Sequence, residues 1–217
     1  YIVNSIDDLV YEFAGAANGT ADEVKSSVSY SVDQRFTQGV ENLTLTGAGS
    51  INGTGNASSN VLTGNSGANT LAGGGGNDTY RGGLGADALV AASGTSNDTY
   101  IWGRGEGADT LSDAGGTDQL SVLVGVTADQ LWLRHVGNNL ELSVIGTTDK
   151  FTINNWYTAV ANQVESVKLS DGKALIASKV ENLVNAMAGF TPPAAGQTTL
   201  PANYQTSLNP VIAANWA

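Results

Sequence analysis

The chain has 217 residues and a formal net charge of −11, with 28 glycines and no cysteine. That length is enough for one elongated domain or two small ones with a real apolar core, while the missing cysteines exclude disulfides and thiolate metal sites. Nine scattered cations exclude a basic nucleic-acid face, no apolar run approaches the roughly 20 residues of a membrane-spanning helix, and glycine above the usual share of about 7 % without a Gly-X-Y period indicates turns rather than collagen.

Residues 1–45 read as a β-rich flank, with strands expected at Ser27–Val32 and Val40–Leu45 and turns at Asn18-Gly19-Thr20 and Gln38-Gly39. Asp7, Asp8, Glu12, Asp22 and Glu23 carry oxygen donors, but surface acids of this kind mostly just face solvent. Tyr1-Ile2-Val3-Asn4 lacks the basic and apolar regions of a signal peptide. Tyr80 and Tyr100 each follow Asn-Asp-Thr, so Tyr1 is expected to continue a repeat lying upstream in a longer protein.

From Gly55 the chain counts in nines: GNASSNVLT, GNSGANTLA from Gly64, GGGGNDTYR from Gly73 and GGLGADALV from Gly82. Each unit opens on glycine, places a carboxamide or carboxylate sixth (Asn60, Asn69, Asp78, Asp87) and an apolar residue eighth (Leu62, Leu71, Tyr80, Leu89). A tight turn followed by a very short strand satisfies that pattern, and the glycines let backbone carbonyls converge. Two units complete one turn of a parallel coil, so sixth-place residues alternate edges. Asn60, Asp78 and Asp98 are expected on one edge, and Asn69, Asp87 and Asp109 on the other.

After Val90 the frame slips but the pattern returns. Asn77-Asp78-Thr79-Tyr80 reappears as Asn97-Asp98-Thr99-Tyr100, Gly107-Ala108-Asp109-Thr110-Leu111 repeats Gly85–Leu89 after a bulge around Ile101–Glu106, and Asp118-Gln119-Leu120 closes the series. The coil is therefore assigned to residues 46–121. Residues 122–178 alternate as strands at Leu131–Val136, Leu140–Ile145, Lys150–Ile153, Val164–Leu169 and Lys173–Ile176, predicting an antiparallel meander with Trp132 and Trp156 in its core. In residues 179–217, the capping-box pattern Ser178-Lys179-Val180-Glu181 predicts a short helix over about Lys179–Ala188, stopped by Gly189 and Pro192. The tail beyond Glu181 has no charged side chain and reads either as a plain disordered end or as a recognition element.

The acids are concentrated. Seven lie between Gly73 and Asp118 (Asp78, Asp87, Asp98, Glu106, Asp109, Asp113, Asp118) against Arg81 and Arg104. Stacked like charges about 5 Å apart would each cost on the order of 3 kcal/mol at an effective dielectric near 20, so the column calls for a cation. Hard oxygen donors in a flexible turn suit calcium. The alternative is a metal-free solenoid in which Asn and Asp merely cap turns, and a neutral carboxamide at Asn60 or Asn69 offers one oxygen and no charge.

GGGGNDTYR and GGLGADALV resemble the GGxGxDxUx repeat of the RTX (repeats-in-toxin, haemolysin-type calcium-binding) family over about Gly55–Leu120. The stretch Val126–Ile176, with Asn154-Asn155-Trp156-Tyr157, is similar to the region that often follows such repeats. The resemblance implies an all-β fold, a parallel β-roll with several calcium ions in its turns. It implies carbonyl ligands at Gly73, Gly74, Gly76, Gly82, Gly83 and Gly85, and carboxylates at Asp78 and Asp87. Asp98, Asp109 and Asp118, with Asn60 and Asn69, are the further candidate ligands. Asn in place of Asp at 60 and 69, and Ala91-Ala92 in place of a glycine pair, depart from the pattern.

The function so implied is the calcium-binding C-terminal module of a larger secreted bacterial protein. It would fold on calcium outside the cell and carry an uncleaved type I secretion signal in its tail. The competing reading is an extracellular glycan- or surface-attachment module using Trp132, Trp156 and Tyr157. Catalysis is not expected in this chain. His135 is the single histidine, no Gly-x-Ser-x-Gly, His-Glu-x-x-His or phosphate loop occurs, and Gly103, Gly105 and Gly107 lack a βαβ setting.

Overall fold

Short strands separated by glycine turns wind into two parallel sheets, because no strand here is long enough to bury an apolar face except by stacking on the next turn of the coil. The computed structural model describes residues 1–11, 21–33, 39–92 and 94–217. Glu12, the turn expected at Asn18–Thr20, and Gln38 lie outside the described residues.

One sheet stacks β1 (Ile2–Val3), β2 (Glu23–Ser26), β4 (Asn42–Leu45), β6 (Val61–Thr63), β8 (Thr79–Arg81), β10 (Thr99–Trp102), β12 (Gln119–Val122), β16 (Ser166–Lys168) and β17 (Ala174–Ile176). The other runs from β3 (Tyr30–Ser31) through β5 (Gly53–Thr54), β7 (Thr70–Ala72), β9 (Ala88–Val90) and β11 (Ala108–Ser112) to β15 (Lys150–Ile153), β14 (Asn139–Val144) and β13 (Leu131–Val136). Coil pairing is parallel and in register, Leu62 beside Tyr80 and Leu71 beside Leu89. The eighth-place side chains Leu62, Leu71, Tyr80 and Leu89, with Tyr100, Leu111 and Leu120, form the buried spine between the sheets. The Tyr80 and Tyr100 rings pack against each other, tilted by 30° with centroids 5.3 Å apart.

The parallel coil begins upstream of the nine-residue units, since β1, β2 and β4 already pair in parallel. Of the expected strand Ser27–Val32 only Tyr30–Ser31 is strand, as β3, and the residues between it and the end of β2 at Ser26 form a corner. Ser26 makes the corner by donating its hydroxyl to the Val28 carbonyl, at 2.6 Å.

The single antiparallel meander expected over 122–178 is corrected. Antiparallel pairing is present, but it divides between the two sheets. β13–β14–β15 extends one sheet through the parallel β11–β15 pair, and the β16–β17 hairpin extends the other through β12–β16. Local alternation fixes a strand's faces but not its neighbour, and both sheets offered an open edge at the end of the coil. Trp132 and Trp156 are buried as expected.

The helix α1 (Ala177–Ala188) buries Val180, Leu183, Val184 and Met187, yet it starts two residues early and without the Ser178 capping box. β17 runs straight into it, and the Ala177 amide donates to the Glu165 carbonyl at 2.9 Å, so strand register does the work of a cap. The tail is ordered as a second helix, α2 (Ala202–Asn215), which passes through Pro210 and packs on α1. Leu208, Ile212 and Trp216 are buried, and Ala217 exchanges two backbone hydrogen bonds with Ala174. No helix among the described residues is long and apolar enough to cross a membrane.

Candidate metal centre

The turns align along two edges of the coil, and each edge carries a ladder of side-chain oxygens. On the first, the Asn60 amide donates to Asp78 Oδ1 (2.8 Å), that of Asp78 to Asp98 Oδ1 (2.7 Å), and that of Asp98 to Asp118 Oδ1 (2.6 Å). On the second, the Asn69 amide donates to Asp87 Oδ1 (2.7 Å) and that of Asp87 to Asp109 Oδ1 (2.9 Å). The structure thus brings together the sixth-place residues edge by edge, as the spacing predicted. The step between rungs is 18 residues within the nine-residue units and 20 to 22 beyond them, which is how the frame slips while the ladder continues.

All seven acids between Gly73 and Asp118 are buried, none more than 5 % exposed. Among the described residues only Glu106 of these has a basic partner, Arg81, at 2.7 Å. On the ladder carboxylates Asp87, Asp98 and Asp118 one oxygen takes a backbone amide while the other is left over. The second oxygens of Asp87, Asp98, Asp113, Asp118 and Glu106 are buried without a hydrogen-bond partner. That of Asp78 has only the Tyr80 hydroxyl, at 3.4 Å. Ionised carboxylates so placed cost several kcal/mol each unless neutralised.

Burial is the main reason that these groups resist ionisation. It pushes the Asp78 carboxyl up to about 7, with the Asp98 charge adding to the effect, and Asp87 up to about 6. Asp109 rises to about 7, burial again leading, with Asp87, Glu106 and Asp149 nearby. Asp98 and Asp118 are raised for the same reason.

Backbone carbonyls complete the surroundings. At Gly73 an added Cβ would overlap the Asp78 carboxylate, and at Gly74, held at φ 91°, it would overlap the Asn56 carbonyl. Gly82 and Gly83 repeat this against Asp87 and the Asn65 carbonyl. Gly76 and Gly85 lie equally close to the backbone of the preceding turn. Among the described residues no three His, Cys, Asp or Glu side chains converge on one point. Any ion here therefore draws on carbonyls together with one or two carboxylates, the all-oxygen donor set that calcium takes.

The asparagine turns are built differently. Asn60 Oδ1 accepts the Asn56 amide at 2.7 Å, and its Nδ2 donates to the Val40 and Glu41 carbonyls. Asn69 Oδ1 accepts the Asn65 amide, and its Nδ2 donates to the Ile51 carbonyl at 2.7 Å. Each carboxamide reaches back with an N–H to carbonyls of the turn before, and neither leaves a buried orphan atom.

Residues 54–89 match the family model of the RTX calcium-binding nonapeptide repeat (4 copies), and residues 139–177 match that of the Haemolysin-type calcium binding protein related domain. The chain carries an RTX calcium-binding β-roll. Orphaned carboxylate oxygens beside crowded carbonyls fit that assignment, and the RTX coil is non-catalytic in itself. Calcium would supply the positive charge that the buried column lacks, held by Asp78 and Asp87 with the surrounding carbonyls.

Two contributors escaped the sequence reading. Glu165, from the related domain, accepts the Asp118 amide at 2.6 Å and so forms the last rung of the first ladder. Asp149 accepts the amides of Gly105 (2.9 Å) and Gly107 (3.1 Å) at the end of the second edge. Neither lies in a repeat, and only the pairing of β15 and β16 with the coil brings them there. Of the N-terminal acids, Asp8 accepts the Asn4 and Ser5 amides and Glu23 pairs with Lys25, so both serve local structure.

Proposed function

We propose that this RTX module is the calcium-dependent C-terminal part of a larger exported bacterial protein. It stays unfolded where calcium is scarce, folds on meeting calcium outside the cell, and carries in residues 182–217 the segment read by a type I secretion machinery. The carrying observation is the column of seven buried carboxylates served, among the described residues, by one ion pair. At neutral pH that column opposes folding until a cation neutralises it, and metal binding then contributes folding free energy directly. In the folded chain α2 is packed on α1 and Trp216 is buried, so a signal in this tail is open to a receptor only before folding. That order agrees with export first and calcium second.

The test is far-UV circular dichroism in metal-free buffer at pH 8, followed by calcium and magnesium titrations. A cooperative coil-to-β transition with calcium alone is expected, and a folded spectrum unchanged by calcium overturns the switch. For export, deleting residues 182–217 should abolish secretion of a fused passenger; undiminished secretion would remove the signal from the tail. The glycan-attachment reading loses its main support, since Trp132 and Trp156 are both at most 3 % exposed.

A further inference from the structure

Glu106 is out of character for its place in the coil. Gly107-Ala108-Asp109-Thr110-Leu111 repeats Gly85–Leu89, so Glu106 takes the third place of its turn, filled in the four units by Ala57, Ser66, Gly75 and Leu84. Ala57, Ser66 and Leu84 are exposed, whereas Glu106 is buried. Two contacts hold the inward carboxylate. Asp149 accepts the amides on either side of it, those of Gly105 and Gly107. Arg81, the ninth residue of its unit, pairs in parallel with Ile101 at the start of the bulge and reaches Glu106 at its end. Its Nε donates to Glu106 Oε1 at 2.8 Å, and its Nη2 lies 2.7 Å from the same oxygen.

Both guanidinium contacts fall on one oxygen. Glu106 Oε2 is buried without a partner, and so is Asp87 Oδ2 on the turn against which the Glu106 turn stacks. That stacking is close. The Ala108 amide donates to the Gly85 carbonyl at 3.1 Å, and an added Cβ at Gly107 would overlap the same carbonyl. The first edge has no comparable cation, since no salt bridge among the described residues involves Asp78, Asp98 or Asp118. The two edges therefore differ in kind. A carboxylate engaged by a guanidinium fork is held in the geometry of that pair, and a fixed positive charge beside a site opposes entry of a divalent cation.

We propose that Arg81 is an attenuator of the second edge: its guanidinium withholds Glu106 from the ion of the Asp87 turn, which makes that turn a weaker, later-filling site than those of the first edge. The inference rests on the calcium-binding reading of the coil and adds to it a residue outside the ligand set that orders the filling of the two edges. Affinity in oxygen sites is tuned by the number of ligand charges, so release of Glu106 tightens the site. The pair also acts before any ion arrives. It straps the end of β8 to the bulge across the frame slip and gives the metal-free second edge a positive charge that the first edge lacks.

The test is calcium binding by the full chain, measured by isothermal titration and equilibrium dialysis, for Arg81→Gln, Glu106→Gln, the double variant and Arg104→Gln. Arg81→Gln should tighten the weakest class of site at least about tenfold and leave the tighter classes unchanged. Chemical denaturation in chelator should show the same variant less stable than wild type, because Glu106 is then buried without its partner. The double variant should lose the gain in affinity, and Glu106→Gln should show none. Arg104 lies in the same bulge, partly exposed and in no ion pair among the described residues. Its replacement removes the same charge and should leave every affinity within about twofold, since an unpaired surface charge is screened by salt. Unchanged affinity in Arg81→Gln overturns the attenuator while leaving the calcium module intact. A gain of equal size in the double variant or in Arg104→Gln overturns it too, by showing that charge alone is at work. A wild-type chain that binds no calcium overturns the module itself. An Arg81→Gln chain that never reaches the calcium-loaded β spectrum makes the pair purely structural and also overturns the attenuator.

Discussion

The turns at Gly55–Asn60 and Gly64–Asn69 and those at Gly73–Asp78 and Gly82–Asp87 share length, register and glycine openings, yet they solve the same electrostatic problem in opposite ways. Carbonyls of successive turns crowd together along the coil edge and need a positive partner. In the asparagine turns the side-chain amide is that partner, donating from Asn60 to Val40 and Glu41 and from Asn69 to Ile51. In the aspartate turns the same position carries a carboxylate instead, its Oδ2 buried and left without a donor at Asp87 and nearly so at Asp78. Changing NH2 to O⁻ turns a self-sufficient turn into one that requires an ion. The Asn60 and Asn69 turns thus satisfy neighbouring carbonyls from within the chain, whereas the Asp87 turn leaves a buried oxygen with no donor.

The largest test of that comparison is removal of calcium at pH 8. Hydrogen exchange should show residues 73–120 losing protection, while strands β4 to β7 retain more of theirs; uniform loss along the whole coil would erase the distinction. Next in size, the double variant Asp78→Asn/Asp87→Asn converts two turns to the asparagine type. It should bind fewer calcium ions and gain roughly 1–3 kcal/mol per turn of metal-free stability, the usual cost of a buried unsatisfied group, as read by chemical denaturation. The reverse change, Asn69→Asp, should lower metal-free stability by a comparable or smaller amount, and calcium should recover part of it.

The smallest expected effect is on pH. Asp78 and Asp109 are held at about 7 and Asp87 at about 6, against 3.8 when unfolded. The metal-free fold therefore binds protons that the unfolded chain releases. Their stabilising contribution is complete below about pH 4 and is lost as pH rises through 6 to 7. In metal-free buffer the melting temperature should climb from pH 8 to pH 5, and with saturating calcium the trend should flatten. A melting temperature that falls over that range would show that the aspartate turns do not carry this burden.

Much of the candidate site was legible in the sequence, because a strict period transfers directly into geometry. With 18 residues per coil turn, Asn60 must lie beside Asp78 and Asn69 beside Asp87, and the hydrogen-bond ladders follow. The frame slip hid little, since Asn-Asp-Thr-Tyr at Asn97–Tyr100 marked the next rung. What did not show was how each sixth-place group would be used, as Asn60 and Asp78 occupy equivalent places and differ only in whether the side chain donates.

The sequence by itself determined the period, the inward spine of Leu62, Leu71, Tyr80 and Leu89, and the chemistry of an oxygen-lined coil. These depend on residues close in the chain, repeated until stacking is unavoidable. Only the tertiary structure decided that residues 122–178 divide between two sheets, that Glu165 and Asp149 close the ladders, and that an uncharged, proline-containing tail becomes a helix on α1. Those outcomes depend on which open edge or apolar face a segment meets, and burial against a distant partner outweighs the weak local preferences that a sequence displays.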